Sequence, residues 1–288
     1  MQLTPDEIER YRRHVLLPEI GGAGQQRLKN ARVLVIGAGG LGAPVLLYLA
    51  AAGVGTIGII DDDLVSLSNL QRQVIHDTGT IGEAKTASSR AMLAKLNPTI
   101  RVLSHEERFT LPWAAKHLPL FDLLIDGSDN FDTRYAAADA AEQARIPLIT
   151  GAVSRFDGSV TVLKPYETAP DGQLNPGYRD LFPEKPPQGL IPSCAETGII
   201  GALTGVIGTL MAAEAIKLIA GIGEPLVGRL LLYDSLAARF DTVRYKRRAE
   251  GSPAKSTCAR HTSMRVAFRA CPAGRGSAAD GRRRRPEC

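Results

Sequence analysis

Cysteine is scarce in this 288-residue chain, with four in all. Cys258, Cys271 and Cys288 lie near the C-terminus, and Cys194 stands alone in the body. A disulfide framework is excluded there, and a reducing, cytoplasmic setting is expected. The N-terminus, Met1-Gln2-Leu3-Thr4, lacks a basic segment followed by an apolar run, so no signal peptide is read. No apolar run has the length of a membrane span. The longest, Ile199 to Ala213, is glycine-rich and is followed at once by Glu214 and Lys217, which reads as a buried helix. The chain also has no internal repeat. Its body has no dominant basic face: residues 244–288 hold 13 Lys/Arg against 3 Asp/Glu, leaving 22 against 27 in the rest. The net charge of +5 is therefore a property of the tail, and neither nucleic acid nor membrane is an expected partner.

What is present is ordinary globular composition, 44% hydrophobic and 23% charged, enough for a sizeable core. Thr4 and Glu7 form a capping box opening an amphipathic helix over 5–20. Val33-Leu34-Val35-Ile36 is a short apolar run of the kind buried on both faces of a sheet. A small-residue helix from Leu41 to Ala52 and a second buried run, Thr56 to Ile60, complete a βαβ unit. Alternation continues, with helices expected at 84–96 and 132–144 and strands at 100–103, 121–125 and 146–150. The spacing predicts an α/β fold: a Rossmann-like, doubly wound, mostly parallel sheet. A strand over 159–163, a helix over 198–220 and alternating runs at 228–233 and 239–245 predict an antiparallel C-terminal extension. Residues 165–192 hold seven Pro and three Gly and read as a long mobile loop. One domain over 1–246 is expected, then a basic, disordered tail over 247–288 that includes Arg282-Arg283-Arg284-Arg285.

The chemistry gathers at expected strand ends. Gly37-Ala38-Gly39-Gly40-Leu41-Gly42 is a G-x-G-x-x-G turn between strand and helix, suited to a phosphate-bearing ligand. Asp61 or Asp63, about 20 residues on, suits ribose hydroxyls. Asp61 to Gln73 forms a dense polar segment, Lys85 opens a helix, and Asp126-Gly127-Ser128-Asp129-Asn130 follows another strand. Arg72 and Lys85 are placed to neutralise a triphosphate and Asp129 to hold magnesium. An NAD-dependent oxidoreductase, the usual owner of such a turn, requires no such set.

These blocks, with Arg10-Tyr11-Arg12-Arg13-His14, Gly151-Ala152 and Pro192-Ser193-Cys194-Ala195, resemble the MoeB/ThiF/HesA family, bacterial relatives of ubiquitin-activating enzymes. Within it the chain most resembles the MoeB-type molybdopterin-synthase adenylyltransferases, over residues 4–245. The resemblance implies ATP- and Mg2+-dependent adenylylation of the C-terminal glycine of a ubiquitin-like sulfur carrier ending in Gly-Gly. The pathway implied is molybdenum-cofactor synthesis, with thiamine or cysteine-synthesis carriers as alternatives. It further implies that Gly40 lies by the phosphates, that Asp61 binds ribose, and that Ser68, Asn69, Leu70, Gln71 and Arg72 line the nucleotide. Lys85 would contact phosphate, Asp129 would bind magnesium, Asn130 would line the site, and Arg13 would enter the partner site of a homodimer. Cys194 matches a cysteine that links to the carrier in some relatives, although MoeB-like adenylation does not require it. Many members hold zinc through two Cys-x-x-Cys pairs. Here the first pair falls on Gly177 and Asp180 and the second is missing, so no structural zinc is expected. No sulfurtransferase domain is expected after residue 246, so another protein would supply sulfur.

Overall fold

The computed structural model describes residues 2–185 and 198–248. Three short helices come first: α1 (Pro5–Arg10), α2 (Arg12–Val15) and α3 (Gly21–Asn30). Next come β1 (Arg32–Ile36), α4 (Gly42–Ala52), β2 (Thr56–Ile60), α5 (Lys85–Leu96), β3 (Arg101–His105), α6 (Leu111–His117), β4 (Leu123–Asp126) and α7 (Phe131–Ala144). The chain continues through β5 (Leu148–Ser154), β6 (Asp157–Leu163), α8 (Tyr178–Leu181), α9 (Gly201–Ala220), β7 (Arg229–Asp234) and β8 (Arg239–Arg244).

All eight strands join one sheet in the order β3-β2-β1-β4-β5-β6-β7-β8. The first five are parallel and the last three antiparallel, the architecture expected from the alternation. The chain passes from the β1–β2–β3 half to β4 beside β1, so the sheet has a switch point between β1 and β4, where such folds open a crevice. Strand periodicity sorts the core: Val33 and Val35 point to one face, against α4 and α9, while Leu34 and Ile36 point to the other, against α6 and α7. Both sets are at most 4% exposed, as continuous apolar runs in a covered sheet require.

The helix α9 is long and apolar enough to cross a membrane, and it packs into the core instead. A Cβ on Gly151 would lie 2.5 Å from the Met211 sulfur, and one on Gly158 would lie 2.4 Å from Ile207. These two glycines let the helix sit directly on β5 and β6.

Three segments depart from expectation. The helix expected over 5–20 is broken into α1 and α2, and residues 21–30 form α3 despite Gly21, Gly22 and Gly24. Propensity is overridden here by burial of Leu28 and by the Gln25 amide, which donates to the Ala52 carbonyl at 2.8 Å. The helix α6 was not expected at all; Thr110 caps it and Trp113 is buried in it. Over 165–185, the expected mobile loop is packed. Tyr178 is buried, its ring 5.1 Å from those of Tyr135 and Phe182. The Asp180 carboxylate accepts from the backbone N–H groups of Gly177 and Arg248, both at 2.7 Å. Arg247 donates to the Pro165 and Asn175 carbonyls, so 247 and 248, assigned above to the tail, are tied to the body. Residues 186–192, Cys194 and the tail from 249 lie outside the described residues.

Candidate active site

The parallel strands end in one crevice of about 840 Å3, lined by Gly37, Gly39, Gly40, Asp61, Arg72, Lys85, Asp129 and Asn130 among others. Eight of the residues singled out from the sequence therefore converge. They come from the ends of β1, β2 and β4, from the turn after residues 67–69, which carries Arg72, and from the start of α5.

The glycine turn forms the floor. Gly37 has φ +87°, a left-handed conformation that suits glycine. A Cβ on Gly42 would sit 1.8 Å from the Gly37 carbonyl oxygen, so Gly42 serves helix-to-turn packing and does not line the crevice. Gly39 and Gly40 precede the first turn of α4, where backbone N–H groups have no partner within the helix. The Ala38 N–H donates to Asp61 Oδ2 at 2.8 Å, and its carbonyl faces His76 Nε2 at 2.9 Å.

The next wall is charged. Asp61 also accepts from the Asp63 N–H at 2.8 Å. Burial raises its carboxyl above the ordinary value, against the pull of Lys85 and of the two amides. The ammonium of Lys85 is buried and lies 2.7 Å from Asp63 Oδ2, while Asp62 pairs with Arg108 at 3.1 Å. The carboxylates of Asp61, Asp62 and Asp63 all lie within 4.8 Å of one another, each with one of these polar partners. Arg72 is half-buried and donates to the Ser68 carbonyl at 3.1 Å.

At the end of β4, Asp126 is fully buried. It accepts from the Ser128 N–H at 3.0 Å, the Ser128 hydroxyl at 2.6 Å and the Thr150 hydroxyl at 2.9 Å. These bonds fix the turn that carries Asp129, which is itself exposed and makes no side-chain hydrogen bond or ion pair among the described residues. An exposed carboxylate in the same crevice as Arg72 and Lys85 fits a hard cation shared between one protein oxygen, phosphate and water. Asn130 caps α7, accepting from the Thr133 N–H at 2.9 Å.

Other assignments are not brought to the crevice. Ser68, Asn69, Leu70 and Gln71 do not line it. Asn69 Oδ1 accepts from the Ser66 N–H, closing a short turn over 67–69, and Gln71 packs beneath Gly201 at the start of α9. Only Arg72 of this run is turned inward. Arg13 is exposed, outside the crevice, and has no polar partner among the described residues. Its neighbours are the anchors: the Tyr11 hydroxyl accepts from Asn97 at 2.8 Å, and His14 bonds Gln25 at 3.0 Å.

The structure adds residues the sequence did not single out. Gln73 and Thr204 line the crevice beside the turn, and Arg134 lines its rim, donating to the Ser128 carbonyl at 3.0 Å. Residues 107–112 close the far wall, and His76 braces the turn from behind. Asp126 and Gln73 stood inside segments already marked as polar; His76, Arg108 and Arg134 gave no local signal.

Comparison with known proteins follows the same outline. The "Probable adenylyltransferase/sulfurtransferase MoeZ" of Mycobacterium tuberculosis is 54% identical over 241 residues, which cover 84% of this chain and 61% of MoeZ. The chain thus spans about three fifths of that relative's length. The "Sulfur carrier protein adenylyltransferase" of Thermus thermophilus is 49% identical over 86% of this chain and 90% of its own. Among solved structures, E. coli MccB with ATP superposes with a TM-score of 0.71 at 24% identity, over 86% of this chain and 73% of MccB, a likeness of fold. The model of the ThiF family matches residues 11–254, and the chain belongs to that family.

Proposed function

We propose that this chain is an adenylyltransferase that activates the C-terminal glycine of a small ubiquitin-like sulfur carrier ending in Gly-Gly, using ATP. The single observation that carries the reading is the convergence of Arg72, Lys85 and Asp129 on the crevice floored by the glycine turn. The 49% identity to a sulfur carrier protein adenylyltransferase, over 90% of that protein, supports it.

The chemistry asks for charge management. A carboxylate oxygen of the carrier attacks the α-phosphorus of ATP. A phosphorus–oxygen bond to the carrier forms, the bond from the α-phosphorus to the bridging oxygen breaks, and pyrophosphate leaves. The nucleophile is already ionised, so no protein base is required. The obstacle is bringing one anion to another, and the protein's part is positioning and neutralisation. The turn amides and the N-terminus of α4 face phosphate, Arg72 and Lys85 supply positive charge, and Asp61 takes the ribose hydroxyls. Lys85 is held by Asp63, so its ammonium is already oriented. Asp129 would hold magnesium, which would supply further charge neutralisation on the phosphates. Arg13 is assigned to the partner site of a homodimer, which accounts for an exposed arginine on well-anchored neighbours.

Molybdenum-cofactor synthesis is the pathway we assign, in a cytoplasmic setting. The identity of the carrier decides it against thiamine or cysteine synthesis. A dehydrogenase is disfavoured, because hydride transfer has no use for Arg72 and Lys85 on one phosphate chain. The test is ATP–pyrophosphate exchange with magnesium and each Gly-Gly carrier in turn, with Asp129→Ala as control. Exchange with one carrier, lost in the control, establishes chemistry and pathway together. ATP binding without exchange for any carrier would overturn the proposal.

A further inference from the structure

His76 is buried at 7% exposure on the side of the glycine turn away from the crevice, and both of its ring nitrogens are engaged. Nε2 lies 2.9 Å from the Ala38 carbonyl oxygen, and Nδ1 lies 2.9 Å from Ser88 Oγ. A carbonyl oxygen can only accept, so Nε2 carries the proton, and in the neutral ring Nδ1 then accepts from the Ser88 hydroxyl. Ser88 is 2% exposed and sits one turn into α5, whose first residue is Lys85. Ala38 is thus held through both of its flanking peptide groups, its N–H by Asp61 and its carbonyl by His76.

Three elements meet in this one ring: the turn after β1, the turn at 73–76, and α5. The two phosphate-facing groups of the crevice, the glycine-turn amides and the Lys85 ammonium, belong to the first and the third. The start of α5 is tied to the segment after β2, the Lys85 N–H donating to the Asp63 carbonyl at 3.0 Å and Leu64 bridging Ala84, and His76 adds a direct link from α5 to the glycine turn. From this geometry we infer that His76 is a positioning residue, a neutral Nε2–H imidazole that locks the glycine turn to α5 so that turn amides and Lys85 address one triphosphate together. Burial supports the neutral form, pulling the imidazole below its ordinary range. The charged groups facing it are Lys85 from α5, which acts in the same sense, and Asp61 and Asp77, which oppose it.

The inference rests on a nucleotide at the turn, and its test separates the two. In the wild-type protein at pH 7.5, ring 15N shifts should report the Nε2–H tautomer for His76. The Nδ1–H tautomer, or rapid averaging of the two, would overturn the lock whatever the enzyme does. ATP affinity is then measured by calorimetry without carrier. His76→Leu should weaken it about tenfold, the scale of one lost buried hydrogen bond. His76→Gln, which keeps an N–H near the Nε2 position, should stay within about threefold of wild type. Equal losses in the two variants, or none in His76→Leu, would refute the proposal. Should His76→Leu fail to fold, Ser88→Ala takes its place: mixed tautomers and weaker ATP binding are expected, and no change in either refutes. Absent exchange with intact, His76-dependent ATP binding would sink the adenylylation reading and leave the lock standing.

Discussion

Replacing Gly42 by alanine should damage both the fold and the nucleotide site. The added Cβ would sit 1.8 Å from the Gly37 carbonyl oxygen and 2.8 Å from its carbon. Real Cβ contacts essentially never fall under 3.0 Å, so turn and helix must separate by 3.0 − 1.8 = 1.2 Å. Both obstacles are backbone atoms, and no flexible side chain can yield. Overpacking of this kind costs about 1–3 kcal/mol, against which alanine's helix propensity returns at most about 1. A net loss of about 1–2 kcal/mol corresponds to a Tm lower by about 2–8 °C in a domain of this size. A displacement above 1 Å in the phosphate turn should also cost about 100-fold in pyrophosphate exchange. Gly39→Ala is the contrasting control, because its Cβ meets only the Gln73 amide, at an ordinary 3.6 Å. It should leave Tm within about 1 °C and still weaken ATP binding, if phosphate approaches the backbone there. A Gly42→Ala protein with unchanged Tm and exchange rate would refute the packing argument. A Gly39→Ala protein with wild-type ATP affinity would refute the placement of the phosphates.

Further outcomes can be checked alongside. Asp129→Asn should abolish exchange, by 100-fold or more on the order of a lost charge-stabilising group, while Tm holds, because its carboxylate is exposed and bonded to nothing described. Asp126→Ala should do the reverse first: three donors lose their acceptor, and urea unfolding should show a loss of about 3 kcal/mol. For Glu7, burial alone would raise the carboxyl, but Lys29 and the Thr4 hydrogen bonds outweigh it and lower the native value below 4.5. Its contribution to stability is therefore complete above pH 4.5 and lost as pH falls through the native value; Glu7→Gln should flatten that part of the stability curve. For His76 the native value is lowered, so the unfolded chain binds the proton first. Stability should fall as pH drops below 6.5, and His76→Gln should remove that slope. If Arg13 serves the partner's site, Arg13→Ala and Asp129→Asn should each be inactive alone. Mixed as randomly paired dimers, they should recover about a quarter of wild-type exchange, and no recovery would place Arg13 elsewhere.

The local devices were legible in the residues alone. The Thr4–Glu7 capping box forms as read, with Glu7 Oε2 accepting from the Thr4 N–H at 2.7 Å. The apolar runs at 33–36 and 56–60 became β1 and β2, because four or five consecutive buried positions bounded by glycine or acidic residues suit little else. The glycine turn sits where its spacing put it, and Asp61 and Asp129 reach one crevice because parallel strands deliver their carboxyl ends to the same edge, where Arg72 and Lys85 join them from the segment after β2. Family resemblance named the chemistry; neither composition nor periodicity could have.

Tertiary structure decided the rest. Neighbours in the same polar run took opposite roles: Arg72 faces the crevice while Asn69 closes a turn and Gln71 packs on α9. Asn69 is set by its own turn, whereas the packing of Gln71 depends on where α9, over 100 residues away, comes to rest. The proline-rich stretch after β6 packs because Tyr178 finds Tyr135 and Asp180 finds the backbone of Gly177 and Arg248, contacts with no local signature. His76 is similar: a lone histidine after a polar run is unremarkable until the Ala38 carbonyl and the Ser88 hydroxyl are seen on either side of it. Sequence fixes short-range periodicity and turn chemistry, whose energies are paid residue by residue. Hydrogen-bond partners and close approaches between distant segments exist only once the sheet has brought them together.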